Sequence, residues 1–327
     1  VGGGAAAGGG SSAFNLPTAG VSPQSAYVSN SSYSADHAAA GAVESAMNLL
    51  NRQIAACDFS GMKEHIFGAF LGASASLPGL PLTPSLSIPL QRSKGDTVLP
   101  LTPLKAEHLK EELKGAYRSF LMAQFAESKA SFMSILASIP LVVPKSRQES
   151  DELSEMVDVC REYITGVRLK EAMDATDDVV RKTELAAYFT HCNLQPAHLL
   201  LALRQAMLMA FKKSHCYIAA TSFAQRLLEL PDISSERNAS LRSTAMKILK
   251  KSNEVARNEA ELNYDERNPF DIDCDNLVPL YRGVEVAICP YCKSKYAPDR
   301  VGKRCSTCGI SKVGVKTVGL LRYVVMR

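Results

Sequence analysis

The string LLLALRQAMLMAFKKSHCYIAATSFAQRLLEL, residues 199–230, decides how the fold is read. Apolar residues recur at three- and four-residue intervals on both sides of a short break near Ser214–His215, the period of two amphipathic helices joined by a turn. Small residues at close-packing positions, Ala219 and Ala220, resemble those of tetratricopeptide-type hairpins. An earlier stretch, Leu109–Ile139, contains YRSFLMAQFAESKASFMSIL and repeats the theme, with Ala130 in the close-packing position. The repeat is too irregular for an array, so the pattern predicts a mainly α body of helical hairpins, solenoid-like or tetratricopeptide-like.

Outward from that hairpin, helices are predicted over about 105–123, 126–138, 151–172, 177–192, 196–213, 216–229 and 235–252. Upstream, Asp36 reads as the N-cap of a helix Ala38–Ala56, with Ala39, Val43, Ala46, Met47, Leu50 and Ile54 on its apolar face. A shorter helix, about Ser60–Ala73, carries Met62, Ile66, Phe67 and Phe70 on one stripe. Residues 1–34 are Gly, Ala, Ser and Asn with little to bury, which predicts a flexible linker ahead of a helical domain at 35–260. The chain starts at Val1, so it is read as a fragment of something longer.

Ser76–Leu104 breaks the helical pattern. Leu80, Leu82, Leu86, Ile88 and Leu90 alternate with the two-residue period of a strand. Ser93-Lys94-Gly95-Asp96 reads as a turn, with Thr97–Leu101 as the returning strand. Five prolines, Pro81, Pro84, Pro89, Pro100 and Pro103, exclude the segment from the middle of a sheet. Two readings stay open: a loop lying on its own domain, or a β-hairpin arm at about 80–101 held inside a partner. An isolated apolar ribbon is marginal in water unless something covers it.

The strongest spacing signal is Cys289-Pro-Tyr-Cys292, then Cys305-Ser-Thr-Cys308 after twelve intervening residues. Two residues between cysteines let both thiolates turn toward one tetrahedral ion, and two such knuckles make a four-thiolate zinc ribbon. Gly309 suits the tight backbone of the second knuckle, and Val284–Ile288 and Val313–Val325 read as flanking strands. A structural zinc site on Cys289, Cys292, Cys305 and Cys308 is the sharper reading of the segment 281–327. Four reduced thiols packing a small β core, or a redox-sensitive pair, are the others. The polar, proline-punctuated stretch 261–280 is read as a connector; its Asn268-Pro269-Phe270 matches a tripeptide that endocytic adaptors bind, and is also ordinary turn chemistry.

Composition bounds function. Among 327 residues, 46% are hydrophobic, yet no apolar run reaches membrane-spanning length. Nine cysteines, five of them scattered singly, argue for a cytosolic protein rather than a secreted disulfide scaffold. Residues 281–327 hold ten Lys or Arg against two Asp or Glu, a net +8, which leaves the rest at −4 within a total of +4. That basic end makes a zinc-ribbon nucleic-acid binder the alternative function, beside a general scaffold, although no recognition helix follows the knuckles. Catalysis is not expected: His191-Cys192 and His215-Cys216 are sequence neighbours that diverge by about 100° on a helix, and no phosphate loop or dinucleotide fingerprint occurs.

Longer strings point to a family. LAAYFTHCNLQPAHLLLALRQAMLMAFKKSHCYIAATSFAQRLLEL within Glu184–Leu230, LNYDERNPFDID followed by PLYRGVEVAICPYC, MSILASIPLVV at 133–143 and CREYITGVRL at 160–169 resemble the C-terminal region of the coatomer (COPI) α-subunit family. The resemblance extends from about Asp36 to Arg327. It implies a non-enzymatic subunit of the COPI vesicle coat, cytoplasmic and peripheral on Golgi membranes and coated vesicles, acting in Golgi-to-endoplasmic-reticulum and intra-Golgi transport. It implies propellers and a solenoid upstream, where dilysine cargo recognition and contacts with other coatomer subunits belong. It also implies binding of the ε subunit, a tetratricopeptide protein that closes around a protruding hairpin. Carried over by position, that hairpin is Leu80–Leu101, with Leu86, Ile88, Leu90, Val98 and Leu99 as the expected contacts.

Overall fold

The computed structural model describes residues 20–79, 85–94, 97–321 and 323. The chain is mainly helical. Its helices are α1 (Pro23–Asn30), α2 (Ser34–Ala39), α3 (Val43–Ile54), α4 (Lys63–Gly72), α5 (Ala106–Leu121), α6 (Phe125–Ser138), α7 (Arg147–Ala175), α8 (Val179–Phe189), α9 (Pro196–Lys212), α10 (Tyr217–Glu229) and α11 (Ala239–Val255). From α5 to α11 each helix packs on the next, which is how a stack of helical hairpins grows.

The hairpin read first from the sequence is α9 with α10. Pro196 opens α9, where its fixed φ suits a helix and its missing N–H costs no bond. Helix α9 buries Ala202, Ala206 and Ala210 at four-residue spacing, and α10 buries Ala219, Ala220, Phe223 and Ala224. Small side chains on both faces let the helices approach closely. Ala130 does not share this role, because it lies on the exposed side of α6.

Helix α7 is the spine. Ser146 caps it by accepting a hydrogen bond from the Glu149 N–H at 3.1 Å. Its 29 residues, longer at both ends than the predicted 151–172, extend about 43 Å at 1.5 Å per residue. At its middle Tyr163 stacks on Phe132 with ring centroids 4.8 Å apart, meets Phe120 edge-on at 4.9 Å, and shares a 2.6 Å hydrogen bond with His198 Nδ1. Each such aromatic pair contributes about 0.5–1.5 kcal/mol beyond area burial.

The N-terminal part departs from expectation. Residues 1–19 of the predicted linker lie outside the described residues, but the rest of it is ordered as α1 and the start of α2. Tyr27 is 2% exposed, and α1 packs on a later strand. The predicted helix 38–56 is broken into α2 and α3 at Gly41, whose φ of +79° is a left-handed turn that only glycine adopts cheaply. Asp36 is not an N-cap. It lies inside α2 with a fully buried carboxylate, which accepts from the Ser31 hydroxyl and pairs with Arg92 at 2.5 Å. Helix α4 buries Met62 (in the 3-10 turn that leads into it), Ile66 and Ala69, and turns Phe67, Phe70 and Leu71 outward, so its predicted stripe is split between core and surface.

Among the described residues, the strands are short and form two-stranded antiparallel pairs. Strand β1 (Ser74–Leu77) pairs with β2 (Leu86–Pro89), and β3 (Gln91–Lys94) with β4 (Thr97–Pro100). The predicted single ribbon 80–101 is therefore a double hairpin that begins at Ser74; residues 80–84 and 95–96, the latter within the predicted turn, lie outside the described residues. Leu90 joins the two ladders, donating to the Ala73 carbonyl at 2.8 Å and accepting from the Leu101 N–H at 2.9 Å. Pro89 and Pro100 close strands, where a missing donor interrupts no ladder. Stretch 261–280 is more than a connector: β5 (Phe270–Ile272) pairs with β6 (Pro279–Tyr281), and Phe270 packs among Tyr188, His191 and Tyr264. With its phenylalanine in that cluster, Asn268-Pro269-Phe270 is turn chemistry rather than a free ligand. Finally β7 (Ala287–Ile288) pairs with β8 (Lys295–Tyr296). The expected strand over Val313–Val325 does not form among its described residues, which run along the body without a ladder.

Candidate metal centre and partner-binding arm

Strand β7 delivers Cys289 and β8 carries the chain away from Cys292, so one hairpin presents the first knuckle. Both knuckles are built alike. The first cysteine's carbonyl accepts from the residue four positions on, Lys293 or Gly309, each at 3.0 Å. Both of those residues have left-handed backbone, Lys293 at φ +61° and Gly309 at φ +70°. The glycine was legible in the sequence; the lysine in the equivalent place was not.

The four thiol sulfurs lie within 4.8 Å of one another, and their residues are at most 3% exposed. Cys289 and Cys308 are 3.9 Å apart and Cys292 and Cys305 3.5 Å, too far for disulfides. A tetrahedral ion with bonds of about 2.3 Å to sulfur requires edges of about 3.8 Å. The donor set and its spacing therefore fit a closed four-thiolate site. Burial opposes ionisation of Cys305, but hydrogen bonds from Cys289, Cys292, Cys308 and Tyr296 outweigh it and hold that thiol well below its ordinary value. Away from the cluster, burial pushes the thiols of Cys160, Cys192 and Cys274 up, which makes them inert packing residues.

The knuckles are pressed into the helical body. The Cys57 and Asp58 N–H groups both donate to the Ile310 carbonyl, at 2.8 and 3.2 Å, and Lys312 N–H donates to Ala55 at 3.0 Å. The Tyr291 hydroxyl reaches the Leu136 carbonyl, and Arg161 on α7 reaches the Cys292 carbonyl at 3.2 Å. Much of the basic excess is used here: Lys293 pairs with Asp158, Lys295 with Asp271, Arg300 with Asp275, and Arg304 with Asp58.

The arm is anchored on one side. Leu99 is 5% exposed, Gln91 donates to the Tyr27 hydroxyl at 3.0 Å, and Asn30 donates to the Val98 carbonyl at 3.2 Å. Ile88, Leu90 and Val98 are half-buried, and Leu86 stands opposite Leu77 in the first ladder. Beside the arm, Phe67, Phe70, Leu71 and Leu77 are each 44–68% exposed.

A family model for the C-terminus of the coatomer (COPI) alpha subunit matches residues 2–326. The chain belongs to this coatomer α-subunit family. It is 40% identical over 317 residues to coatomer subunit alpha of Dictyostelium discoideum, covering 94% of this chain and 25% of that protein. Coatomer subunit alpha-1 of Arabidopsis thaliana is 34% identical, covering 97% and 26%. The Saccharomyces cerevisiae coatomer subunit alpha is 27% identical, covering 90% and 24%. The chain thus spans about a quarter of the length of these coatomer α subunits. Among the described residues, no helix of this coatomer α segment is long and apolar enough to cross a membrane.

Proposed function

We propose that this chain is a non-catalytic assembly module of the COPI coatomer, which binds the tetratricopeptide ε subunit through its double hairpin. The observation that carries the reading is the placement of an apolar arm, held by α1 and α2 on one side, next to the exposed Phe67, Phe70 and Leu71 of α4. Contiguous exposed aromatic and aliphatic side chains mark interaction sites in soluble proteins. Leu86, Ile88, Leu90 and Val98 are proposed as contacts, and Leu99, buried at home, as the residue that fixes β4, the strand that carries Val98. Coat assembly in Golgi-to-endoplasmic-reticulum and intra-Golgi transport, from the cytoplasmic face of Golgi membranes and vesicles, belongs to the same proposal and is supported by family membership. Contacts with other coatomer subunits are assigned to parts of the α subunit upstream of this chain.

The metal reading is a structural zinc ion on Cys289, Cys292, Cys305 and Cys308. A closed set of four thiolates leaves no position for substrate, so its contribution is folding free energy for a segment with little core of its own. The nucleic-acid alternative loses support, because Tyr291 and Tyr296 are buried and four basic residues are ion-paired.

Co-expression with an ε subunit tests the reading. A stable heterodimer is expected, and the double substitution Ile88→Asp, Leu90→Asp should dissolve it. No heterodimer would refute the partner, and undiminished binding by the variant would refute the arm. Elemental analysis of the purified chain should find about one zinc, since a closed tetrahedral site holds a single ion.

A further inference from the structure

Four thiolates around one dication leave a net charge of about −2, and this cluster is shut away from water. Buried charge is tolerated only where fixed donors point at it. The donors are unevenly distributed. The Tyr296 hydroxyl lies 3.0 Å from Cys305 Sγ, and the Ser294 hydroxyl lies 3.1 Å from Cys292 Sγ. Cys305 also accepts from the Cys308 N–H at 3.4 Å. Among the described residues, no side-chain hydroxyl reaches Cys289 or Cys308, which meet one another at 3.9 Å.

Tyr296 is the better built of the two donors. Its ring is 0% exposed, and its oxygen accepts from the backbone N–H groups of Ser306 at 3.1 Å and Thr307 at 3.3 Å. A phenol has one proton and accepts through its lone pairs. With two N–H groups directed at the oxygen, the proton is free for an acceptor. The sulfur of Cys305 is nearer than the Ser306 and Thr307 hydroxyl oxygens, at 3.3 and 3.2 Å, and a metal-bound thiolate is the only charged acceptor of the three. The two N–H groups come from the second knuckle itself, so the bond ties β8 of the first hairpin to the loop that carries Cys305 and Cys308. Ser294 has the corresponding place beside Cys292, from a side chain that is 1% exposed.

We propose that the hydroxyls of Tyr296 and Ser294 are positioning groups for the metal centre: each donates a hydrogen bond to one thiolate, Cys305 and Cys292 respectively, and sets the affinity of the site. This rests on the metal reading above and goes beyond it by dividing the ligands into a hydroxyl-supported pair and an unsupported pair. The groups that hold a ligand in place through a hydrogen bond change metal affinity by about ten- to a hundredfold when removed.

The test uses the full chain loaded with zinc, titrated with a competing chelator, and a parallel cobalt-loaded sample read by its sulfur-to-cobalt charge-transfer absorption. Tyr296→Phe should keep one metal per chain, lower zinc affinity about ten- to a hundredfold, and shift the charge-transfer band to lower energy as the thiolate loses its donor. Tyr291→Phe is the control. It deletes an equally buried hydroxyl that bonds the Leu136 carbonyl and no thiol, so affinity and band should stay at wild-type values. Should Tyr296→Phe not fold, Ser294→Ala removes a single oxygen beside Cys292 and should produce the same two changes. Wild-type affinity and spectrum in Tyr296→Phe or Ser294→Ala would overturn the proposal while leaving the metal reading intact. An equal loss in Tyr291→Phe would also overturn it, as a packing effect. Failure of the wild-type chain to bind zinc or cobalt would overturn both.

Discussion

Replacing Asp36 by Asn probes the contact that attaches the arm to the helical body. The Asp36 carboxylate is fully buried and receives two donors, the Ser31 hydroxyl and the Arg92 guanidinium, both at 2.5 Å. The asparagine amide would keep one acceptor oxygen, so one bond to a charged group is lost, a cost of about 1.5–3 kcal/mol. Breaking a buried pair costs about 3–5 kcal/mol when the remaining charge has no solvent. The Arg92 side chain keeps 25% exposure, and Nε still donates to the Pro100 carbonyl at 3.0 Å, so partial resolvation places the loss near the lower bound, about 3 kcal/mol. At about 2 °C per kcal/mol for a chain of this size, the thermal midpoint should fall by about 6 °C. Urea titration of Asp36→Asn, Arg92→Met and the double variant gives the coupling directly. The double variant should lose clearly less than the two single losses together. Additivity within about 0.5 kcal/mol would show that the pair does not hold the arm.

The His198 imidazole predicts a pH dependence. Burial holds it below its ordinary value of 6.5, so the folded chain resists a proton that the unfolded chain takes up. Its contribution is therefore full above pH 6.5 and declines as pH falls toward the lower folded value. His198→Gln should flatten the slope of stability against pH between about 7 and 5, measured by denaturant titration at each pH; an unchanged slope would contradict this. Stripping metal with a chelator should speed amide exchange at Cys57, Asp58 and Lys312, which bond across to or from the knuckles, and leave α9 to α11 unchanged. Phe132→Ala, at a fully buried ring stacked on Tyr163, should cost about 3–5 kcal/mol in urea titration; a loss below about 1 kcal/mol would mean the stack is not a core element.

The helical body was legible because its period is continuous. Pro196 and the alanines of α9 and α10 state where one helix begins and which faces meet, and both helices lie within a residue or so of expectation. The start of α7 at Arg147 was also written in Ser146-Arg-Gln-Glu149, a capping string that lies ahead of the apolar period. The ordered stretch from Pro23 to Asp36 was not legible. Its Ser, Asn and Ala content carries no period, and what orders it is tertiary: Tyr27 under the arm and Asp36 against Arg92, a partner 56 positions away. The same limit hid the outward turn of Phe67 and Phe70, since an apolar stripe does not say which part of it is covered. At the cysteine cluster the ligands were readable from spacing, whereas Tyr296 and Ser294 were not, because a hydroxyl donor to sulfur has no fixed offset from its ligand.

Whether the arm is the ε-binding surface can be read by hydrogen–deuterium exchange on the chain with and without an ε subunit. Bound ε subunit should slow exchange over Ser74–Leu77 and 86–101 and at the exposed turns of α4, with α9 to α11 unaltered. Protection confined to α9–α11 or to the cysteine knuckles, with the arm exchanging as before, would contradict it.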